Sequence, residues 1–529
     1  MLSLWNSRHT EVRSRRATWP TWPHVRRDSP LPAICLMVAG LLATVSPAGG
    51  DDWTQFRGPN SSGVATTASI PLSFGPDAHV HWKAAIGPGH SSPCVADGRI
   101  YLTSFASARS QMLVHCLSAT SGEQQWQHAF TADQLEKGHP SFNPASSSPA
   151  CDGEVVVAYF GSLGLVALRT SGELLWERRM PTTKSFGGNA TSPIIAGDLV
   201  ILYRGNYLDH NLLAFDRLTG EERWRVPQSE KFTGEMACTA CPIVVDDKLI
   251  VHSARSVQCF DVHSGELIWL TKCATTATST PIVVGDDVVV AAWNKMGEPA
   301  LRPPFPTYAE LLAQHDADHD GGISKGEFPE LWIFHRPDGM EAPMNGGRVR
   351  FNWADRDKDQ QITATEWAAQ RKDLDSFRAG YETHGLLAIP LNSAGILKQD
   401  EVRTLETQGI PEVPSPVSDG RYIYLIKNGG ILTVIEQSRG KRVSRVRTPG
   451  RGTHYASPII AGDHLLTVAG DGVISVLTLG SQPEVVATNR MGESVYASPV
   501  VLGDTLLIRT HSTLYAFRSA AETQTTSDR

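Results

Sequence analysis

The feature that most constrains this chain is a repeated stretch, 214–224, that reads as a strand, a tight turn and a second strand. Asp216 can accept hydrogen bonds from the turn amides, Gly220 can adopt the positive φ of a short hairpin, and Trp224 follows as a large apolar side chain. Variants of the same design end at Trp126, Trp176 and Trp269. Since one such hairpin cannot bury both of its faces, copies must pack on one another.

A second pattern marks the first strand of each copy. A small residue and a proline precede β-branched residues and a Gly/Asp turn, and this pair begins at Ser92, Ser148, Ser192, Cys241, Thr280, Ser415, Ser457 and Ser498. Proline is tolerated at the start of a strand because its missing N–H costs no ladder bond there. The spacing fits four-stranded blades of about 40–50 residues, apart from one long gap after Thr280. The chain is therefore predicted to be an all-β, eight-bladed propeller.

The two ends of the chain are predicted to close this ring. Residues 79–86 resemble the last, Trp-bearing strand of a copy but lack the three strands before it. The eighth copy supplies only three strands before residue 518. Pairing of the two would remove the exposed sheet edges. We expect a propeller over 49–293 and 382–518, an insertion in blade five over 294–381, and a disordered tail over 519–529.

Residues 1–48 are predicted to be an export signal. Basic residues precede an apolar run, Leu31 to Val45, which is shorter than the roughly 20 residues of a spanning helix. Ser46-Pro-Ala48 offers small residues for cleavage. The protein is thus expected to be periplasmic or secreted, with an uncleaved anchor and membrane association as the alternative. Removing this segment moves the formal net charge from −7 to −11, which argues against a nucleic-acid partner.

Seven cysteines follow the export signal, and export would permit disulfides between them. Cys238 and Cys241 have the spacing of a redox motif, but they lead into a strand rather than a helix. We expect small buried side chains there. A disulfide from this pair to Cys259 or Cys273 stays open.

The insertion contains two acidic twelve-residue loops. Their oxygen-bearing positions 1, 3, 5, 7, 9 and 12 are typical of a hard-cation site, and they resemble a pair of EF-hands. The resemblance implies calcium, held in the first loop by Asp316, Asp318, Asp320, the Gly322 carbonyl, Ser324 and Glu327. In the second loop it implies Asp355, Asp357, Asp359, the Gln361 carbonyl, Thr363 and Glu366. The alternative is a pair of solvated acidic turns.

The two loops differ at the sharp turn, which has Gly321 in the first and Gln360 in the second. Gln360 must adopt a left-handed conformation at some energetic cost. The first loop is therefore expected to bind calcium more tightly. Ile323 and Ile362 are expected to pair across the loops, and each closing glutamate is expected on an exiting helix.

The insertion should lie on the side of the ring where residues preceding each inner strand converge on the axis. Such a funnel is the default ligand site of a ring. The candidate ligand-binding residues are His90, His139, Asn143, Asn189, Glu235, His454, Tyr455 and Tyr496. The alternative is that these side chains only satisfy loop backbones. The insertion would then act beside the funnel as a lid or docking arm.

The pattern Ala-x-Asp-x-x-Thr-Gly-x-x-x-Trp at 214–224 resembles the repeat of the quinoprotein (pyrroloquinoline-quinone) dehydrogenase superfamily. The resemblance covers about 53–293 and 384–518, and it is weak in tryptophan for blades five to seven. The superfamily contains enzymes and cofactor-free relatives, such as the propeller lipoprotein of outer-membrane protein assembly. Its dehydrogenases hold the quinone against an adjacent Cys-Cys pair, and this chain has no Cys-Cys dipeptide. The resemblance therefore implies the fold without the quinone.

These observations predict a monomeric, non-catalytic calcium-binding propeller that serves as a scaffold for a protein or polymer ligand. A quinone-dependent alcohol or sugar dehydrogenase is the alternative. No nucleophile elbow or HExxH motif supports a hydrolase.

Overall fold

A computed structural model describes residues 52–230, 239–273, 275–294, 296–335, 346–379 and 383–519. The predicted export signal, Glu235 and all but the first residue of the predicted disordered tail lie outside these residues. Within them, no helix is both long and apolar enough to cross a membrane.

Eight four-stranded antiparallel blades form the fold, as the repeats predict. Blade 1 consists of Cys94–Ala96, Arg99–Ala106, Gln111–Ser118 and Gln124–Thr131. Blade 2 consists of Ala150–Cys151, Val155–Phe160, Gly164–Arg169 and Leu174–Arg179. Blade 3 consists of Ile194–Ala196, Leu199–Arg204, Asn211–Asp216 and Glu222–Pro227. Blade 4 consists of Ile243–Val245, Lys248–His252, Ser256–Asp261 and Leu267–Lys272, and gains a fifth, parallel strand, Gly395–Leu397.

The second half of the ring continues in the same way. Blade 5 consists of Ile282–Val284, Asp287–Ala292, Gly385–Pro390 and Arg403–Glu406. Blade 6 consists of Val417–Ser418, Tyr422–Lys427, Ile431–Glu436 and Lys441–Arg447. Blade 7 consists of Ile459–Ala461, His464–Val468, Val473–Thr478 and Val485–Arg490. Blade 8 consists of Val500–Leu502, Thr505–Arg509, Thr513–Arg518 and the early strand Val80–Ala85.

The ring closes through its two ends. Val80–Ala85 pairs antiparallel with Thr513–Arg518, and Trp82 lies opposite Ala516. The predicted closure is thereby confirmed. The hydrophobic core lies between facing blades. For example, Val114 of blade 1 and Val166 of blade 2 belong to the same buried cluster.

A closed cycle of eight hydrogen bonds links the blades at their inner ends. The backbone N–H of each residue that precedes an inner-strand proline donates to the side chain of its counterpart in the next blade, over 2.8–3.2 Å. The cycle runs through Ser92, Ser148, Ser192, Cys241, Thr280, Ser415, Ser457 and Ser498, and returns to Ser92. All eight residues are buried. The small residue in each Ser-Pro pair is thus an acceptor for the neighbouring blade.

Replacing one member of this cycle tests its contribution to stability. Ser148→Ala leaves the Ser92 N–H buried without its acceptor, which should cost about 1–3 kcal/mol. Ser148→Cys should cost less, because the sulfur of Cys241 already accepts at the equivalent position. Calorimetric unfolding of both variants measures the difference. Equal losses would show that the bond itself contributes little.

Tryptophan side chains fix the outer edges of successive blades. Trp176 of blade 2 donates its indole N–H to the Arg217 carbonyl of blade 3 over 2.9 Å. Its ring packs on Gly220, where a Cβ would lie 2.6 Å from the indole and where φ is +67°. Both constraints require glycine at this turn. In blade 5, Leu405 takes this place against Gly440.

The segment 53–65 packs against the inner strands of several blades, which the sequence did not predict. Trp53 exchanges two backbone hydrogen bonds with Val95 of blade 1, and the Thr54 carbonyl accepts from the Cys151 N–H of blade 2. Arg57 is fully buried and donates to the Pro416 carbonyl before blade 6 over 2.6 Å. Residues 64–65 pair in parallel with the inner strand of blade 7. This segment therefore ties together blades from opposite sides of the ring.

The described cysteines are buried and free. They are Cys94, Cys116, Cys151, Cys241, Cys259 and Cys273. Cys241 is buried, as expected, and accepts the Ser192 N–H in the inner cycle, whereas Cys238 lies outside the described residues. Among the described residues, the disulfide left open for Cys259 or Cys273 does not form.

The insertion leaves the ring between the second and third strands of blade 5, as predicted. Its elements are the short 3-10 helix Pro299–Leu301, the helix Tyr308–His315, the strands Ile323–Ser324, Trp332–His335 and Gly346–Arg348, the short helix Phe351–Ala354, the strand Gln361–Ile362 and the helix Ala364–Ala379.

The helix expected to follow the first acidic loop does not form, so this expectation was wrong. Instead, Trp332–His335 is a strand that pairs with Gly346–Arg348. Pro329 explains the difference: in a helix that began at Lys325, as the second loop's helix begins at the equivalent Ala364, residue 329 would need an N–H to donate to the Lys325 carbonyl, and proline has none.

Candidate functional site

The two acidic loops of the insertion lie side by side. Ile323 pairs with Ile362 in a short antiparallel bridge, as the sequence predicted. The side-chain amide of Gln361 donates to Asp320 over 2.8 Å, which joins the second loop to the first. Both isoleucines are fully buried together with Trp367. The loops thus form one unit on a shared apolar core.

The backbone of the two loops follows the same path. Positions 4 and 6 have positive φ in both loops: 59° at His319 and 82° at Gly321, then 65° at Lys358 and 75° at Gln360. The left-handed conformation expected at Gln360 is therefore confirmed. Three non-glycine residues adopt this strained region, which indicates that the surrounding contacts determine the loop shape.

The carboxylates at positions 1, 3 and 5 converge in each loop. One oxygen from each of Asp316, Asp318 and Asp320 lies within 4.8 Å of the others, and Asp355, Asp357 and Asp359 repeat the arrangement. In the described structure, Oδ1 of Asp316 and Oδ1 of Asp355 are buried and make no hydrogen bond. Converging carboxylates with an unpartnered buried oxygen fit a hard cation.

The closing glutamates occupy equivalent positions. Glu327 accepts the N–H of Ala317 and both the N–H and hydroxyl of Ser324, over 2.7–2.9 Å. These bonds lower its pKa to about 2, so Glu327 stays ionised at neutral pH. Glu366 accepts the same three kinds of bond from Arg356 and Thr363. Each loop is therefore closed on itself by its twelfth residue.

A second group of candidate residues lies in the links that precede the inner strands of blades 1, 7 and 8. The ring of His90 meets Tyr496 edge-on at 4.7 Å, and Tyr496 meets Tyr455 at 5.1 Å. Three of the residues predicted to line the funnel thus lie together. His511, which the sequence analysis did not select, lies 6.4 Å from His90.

Arg509 lies next to His90 of this cluster. It is buried, and it donates to the Ser91 carbonyl over 2.9 Å. Burial lowers its pKa to about 9, so it stays charged at neutral pH. Burial, Arg509 and His511 together lower the pKa of His90 to about 3, so His90 is neutral. A Cβ at Gly89 would lie 2.1 Å from the guanidinium, which explains the glycine.

Glu136 connects the links that precede the inner strands of blades 2 and 3. It is 7% exposed, and it accepts from the Thr183 hydroxyl and from the Asn189 N–H over 3.2 Å. Burial raises its pKa to about 7 against the opposing effect of these bonds and of Arg204. Asn189 in turn donates to Ser147 over 2.9 Å. Asn189, predicted as a ligand-binding residue, is therefore part of an internal network.

The remaining predicted funnel residues have local partners. Asn143 accepts the Ala145 N–H over 2.8 Å, and His454 contacts the Gly452 carbonyl at 3.0 Å. His139 contacts Ser141 at 2.8 Å and lies 6.0 Å from the ring of Phe186. The side chains of Asn143 and His454 therefore bond to loop backbone, which is the alternative to ligand binding.

The buried state of Glu136 predicts a pH dependence of stability. Its folded pKa of about 7 lies above the ordinary carboxyl value. Protonated Glu136 therefore contributes fully to the free energy of unfolding below about pH 4.5, and this contribution is lost as the pH rises through 7. Glu136→Gln should remove on the order of 1–3 kcal/mol of that pH dependence.

Denaturant unfolding of both proteins from pH 5 to pH 8 measures this effect. Comparison of the two proteins isolates the effect of Glu136 from that of buried histidines such as His252. The lowered pKa of His252 makes stability rise with pH instead. Parallel pH profiles for the two proteins would contradict the assignment.

The comparisons with known proteins agree with the propeller repeat. Residues 74–207 match the PQQ_2 family, described as outer membrane protein assembly factor BamB. No curated protein matches the chain. The resemblance to quinoprotein-like repeats is confirmed over the matched residues.

The solved structures that this chain resembles share little sequence with it. A europium-containing methanol dehydrogenase is 11% identical with a TM-score of 0.51, over 89% of this chain and 98% of that chain. BamB from Moraxella catarrhalis is 11% identical with a TM-score of 0.48, over 83% of this chain and 100% of that chain. A quinohemoprotein alcohol dehydrogenase from Comamonas testosteroni is 14% identical with a TM-score of 0.49, over 88% and 80%. The methanol dehydrogenase supports the fold alone.

Proposed function

We propose that this protein is an exported, non-catalytic propeller that binds a protein or polymer at its funnel face and holds calcium in the two loops of its insertion. The observation that carries the proposal is the matched geometry of the loops. Both bring three carboxylates together, and both leave the first aspartate with an unpartnered buried oxygen. Calcium would supply a positive charge that satisfies these oxygens and stiffens the loops.

The residues that would hold calcium in the first loop are Asp316, Asp318, Asp320, the Gly322 carbonyl, Ser324 and Glu327. Their counterparts in the second loop are Asp355, Asp357, Asp359, the Gln361 carbonyl, Thr363 and Glu366.

The long helix of the insertion connects the second loop to the stalk that joins the insertion to the ring. Glu366 lies at the start of this helix, and the next residue, Trp367, donates to the Pro306 carbonyl over 2.9 Å. At the other end, Arg378 donates to the Pro303 carbonyl over 2.6 Å and to the Ile333 carbonyl over 2.8 Å. The stalk is residues 303–306. A well-ordered second loop would therefore hold both ends of the stalk in place.

The chain just before the stalk is also attached to the ring, at blade 6 and at the link that leads into it. Glu298 accepts the Gly409 N–H over 2.9 Å and lies 3.7 Å from Lys427 of blade 6. Since the insertion leaves blade 5 on the same face as the links that precede the inner strands, calcium would stabilise an arm beside the funnel.

Calcium binding should depend on the closing glutamates. Glu327→Gln should weaken binding at the first loop roughly tenfold or more, because it removes half of a two-oxygen carboxylate ligand. Glu366→Gln should do the same at the second loop. Calorimetric titration of the full chain with calcium measures both affinities.

The matched control is Asp375→Asn, which removes one exposed charge from the same insertion. It should leave both affinities unchanged. If Asp375→Asn lost as much calcium affinity as the glutamate variants, the loss would reflect net charge alone. That result would contradict the ligand assignment.

An absorbance scan after adding quinone and calcium tests the non-catalytic part of the proposal. We expect no bound chromophore and no dye-linked oxidation of alcohols, in line with the missing Cys-Cys dipeptide. A bound quinone with alcohol oxidation would replace this proposal by the dehydrogenase alternative.

A further inference from the structure

Two large apolar side chains project from neighbouring loops of the funnel face. Phe186 is 54% exposed and Leu208 is 66% exposed. Phe186 lies in the link between blades 2 and 3, and Leu208 lies in the link between the second and third strands of blade 3. Both links emerge on the face that carries the insertion.

The two loops are held in place at their bases. The Tyr207 N–H donates to the Lys184 carbonyl over 2.9 Å, and the Tyr207 hydroxyl accepts the Phe186 N–H over 3.1 Å. Asn206 accepts the Leu208 N–H over 2.9 Å. Because the N–H of both residues is bonded and Tyr207 joins the two loops, the loops hold both side chains in a defined position. A preorganised apolar surface loses little entropy on binding.

The surface continues onto blade 2. The His139 ring lies 6.0 Å from Phe186, and the backbones of Gly138 and Gly188 approach so closely that a Cβ at Gly138 would lie 2.9 Å from Gly188. We call the set His139, Phe186, Leu208, Lys137 and Lys184 the rim patch.

The rim patch carries positive charge on an acidic protein. Lys137 and Lys184 are exposed, whereas the formal net charge of the whole chain is −7. Three described acids lie close to these residues in the chain: Glu136 is buried, Asp209 is paired with Arg204, and the exposed Asp133 lies 3.7 Å from Arg179. The patch therefore combines apolar side chains with two lysines that make no ion pair with the acids of the described ranges.

We propose that the rim patch is a docking site for an acidic protein segment that carries apolar or aromatic side chains. The lysines would attract its carboxylates, and Phe186 and Leu208 would pack against its apolar groups. This inference rests on the proposed function, because it names the partner of the funnel face. A second copy of this chain is a poorer occupant, since a twofold contact would set the lysines against each other.

A fluorescent synthetic peptide tests the site directly. It alternates Asp or Glu with Phe and Leu, and its counterpart has lysine at every acidic position. Anisotropy titration with the full chain should show binding of the acidic peptide and at least roughly tenfold weaker binding of the basic one. Phe186→Ala and Leu208→Ala should each weaken binding roughly tenfold. Lys184→Glu should also weaken peptide binding, and the loss of affinity should be larger at low salt than at high salt.

The matched control is Leu267→Ala, which removes a side chain that is 50% exposed on the outer strand of blade 4. It should bind the peptide like the unchanged protein. Thermal unfolding of all variants should stay unchanged, because each altered side chain is exposed.

Three outcomes would overturn the site. Equal effects of Phe186→Ala and Leu267→Ala would mean that the peptide binds elsewhere, and the proposed function would then stand without the rim patch. Equal binding of both peptides would reduce the effect to nonspecific apolar contact. No binding of either peptide would also reject the site. Calcium titration of the same sample distinguishes this result from failure of the calcium proposal.

Discussion

The cycle of eight N–H to side-chain hydrogen bonds is the constraint on which this propeller depends. Each blade donates one bond and accepts one, so a missing blade would leave a buried donor and a buried acceptor unsatisfied. The proline that follows each member has no N–H of its own and favours an extended residue before it. The cycle therefore sets both the position of every inner strand and the direction from which the preceding link enters.

This geometry determines which side chains lie on the funnel face. Links that enter the cycle bring their side chains toward the axis, and this explains why His90, Tyr455 and Tyr496 meet although they come from distant parts of the chain. The insertion shares this face because it replaces a link between the second and third strands of a blade. The fold thus places an acidic, twin-looped arm and a basic, apolar rim on one side of the same ring.

The repeats were sufficient to predict the blades, the closure and the register of the acidic loops, because each depends on local turn chemistry or on a period. Ile323 and Ile362 could be paired for the same reason. Glu136 and Arg509 could not be found in this way, since their partners Thr183 and Ser91 come from other segments and follow no pattern. Segment 53–65 was missed because its polar, turn-rich sequence gives no indication that Arg57 is buried.

The joining of the first and last strands also bears on how the molecule is made. Ser92 and Ser498, which are bonded in the finished ring, are 406 residues apart. A nascent chain therefore has unpaired strand edges in its first and last blades until nearly all of it has been made, and such edges are prone to aggregate. Those edges are covered only when the last strand of blade 8 pairs with Val80–Ala85.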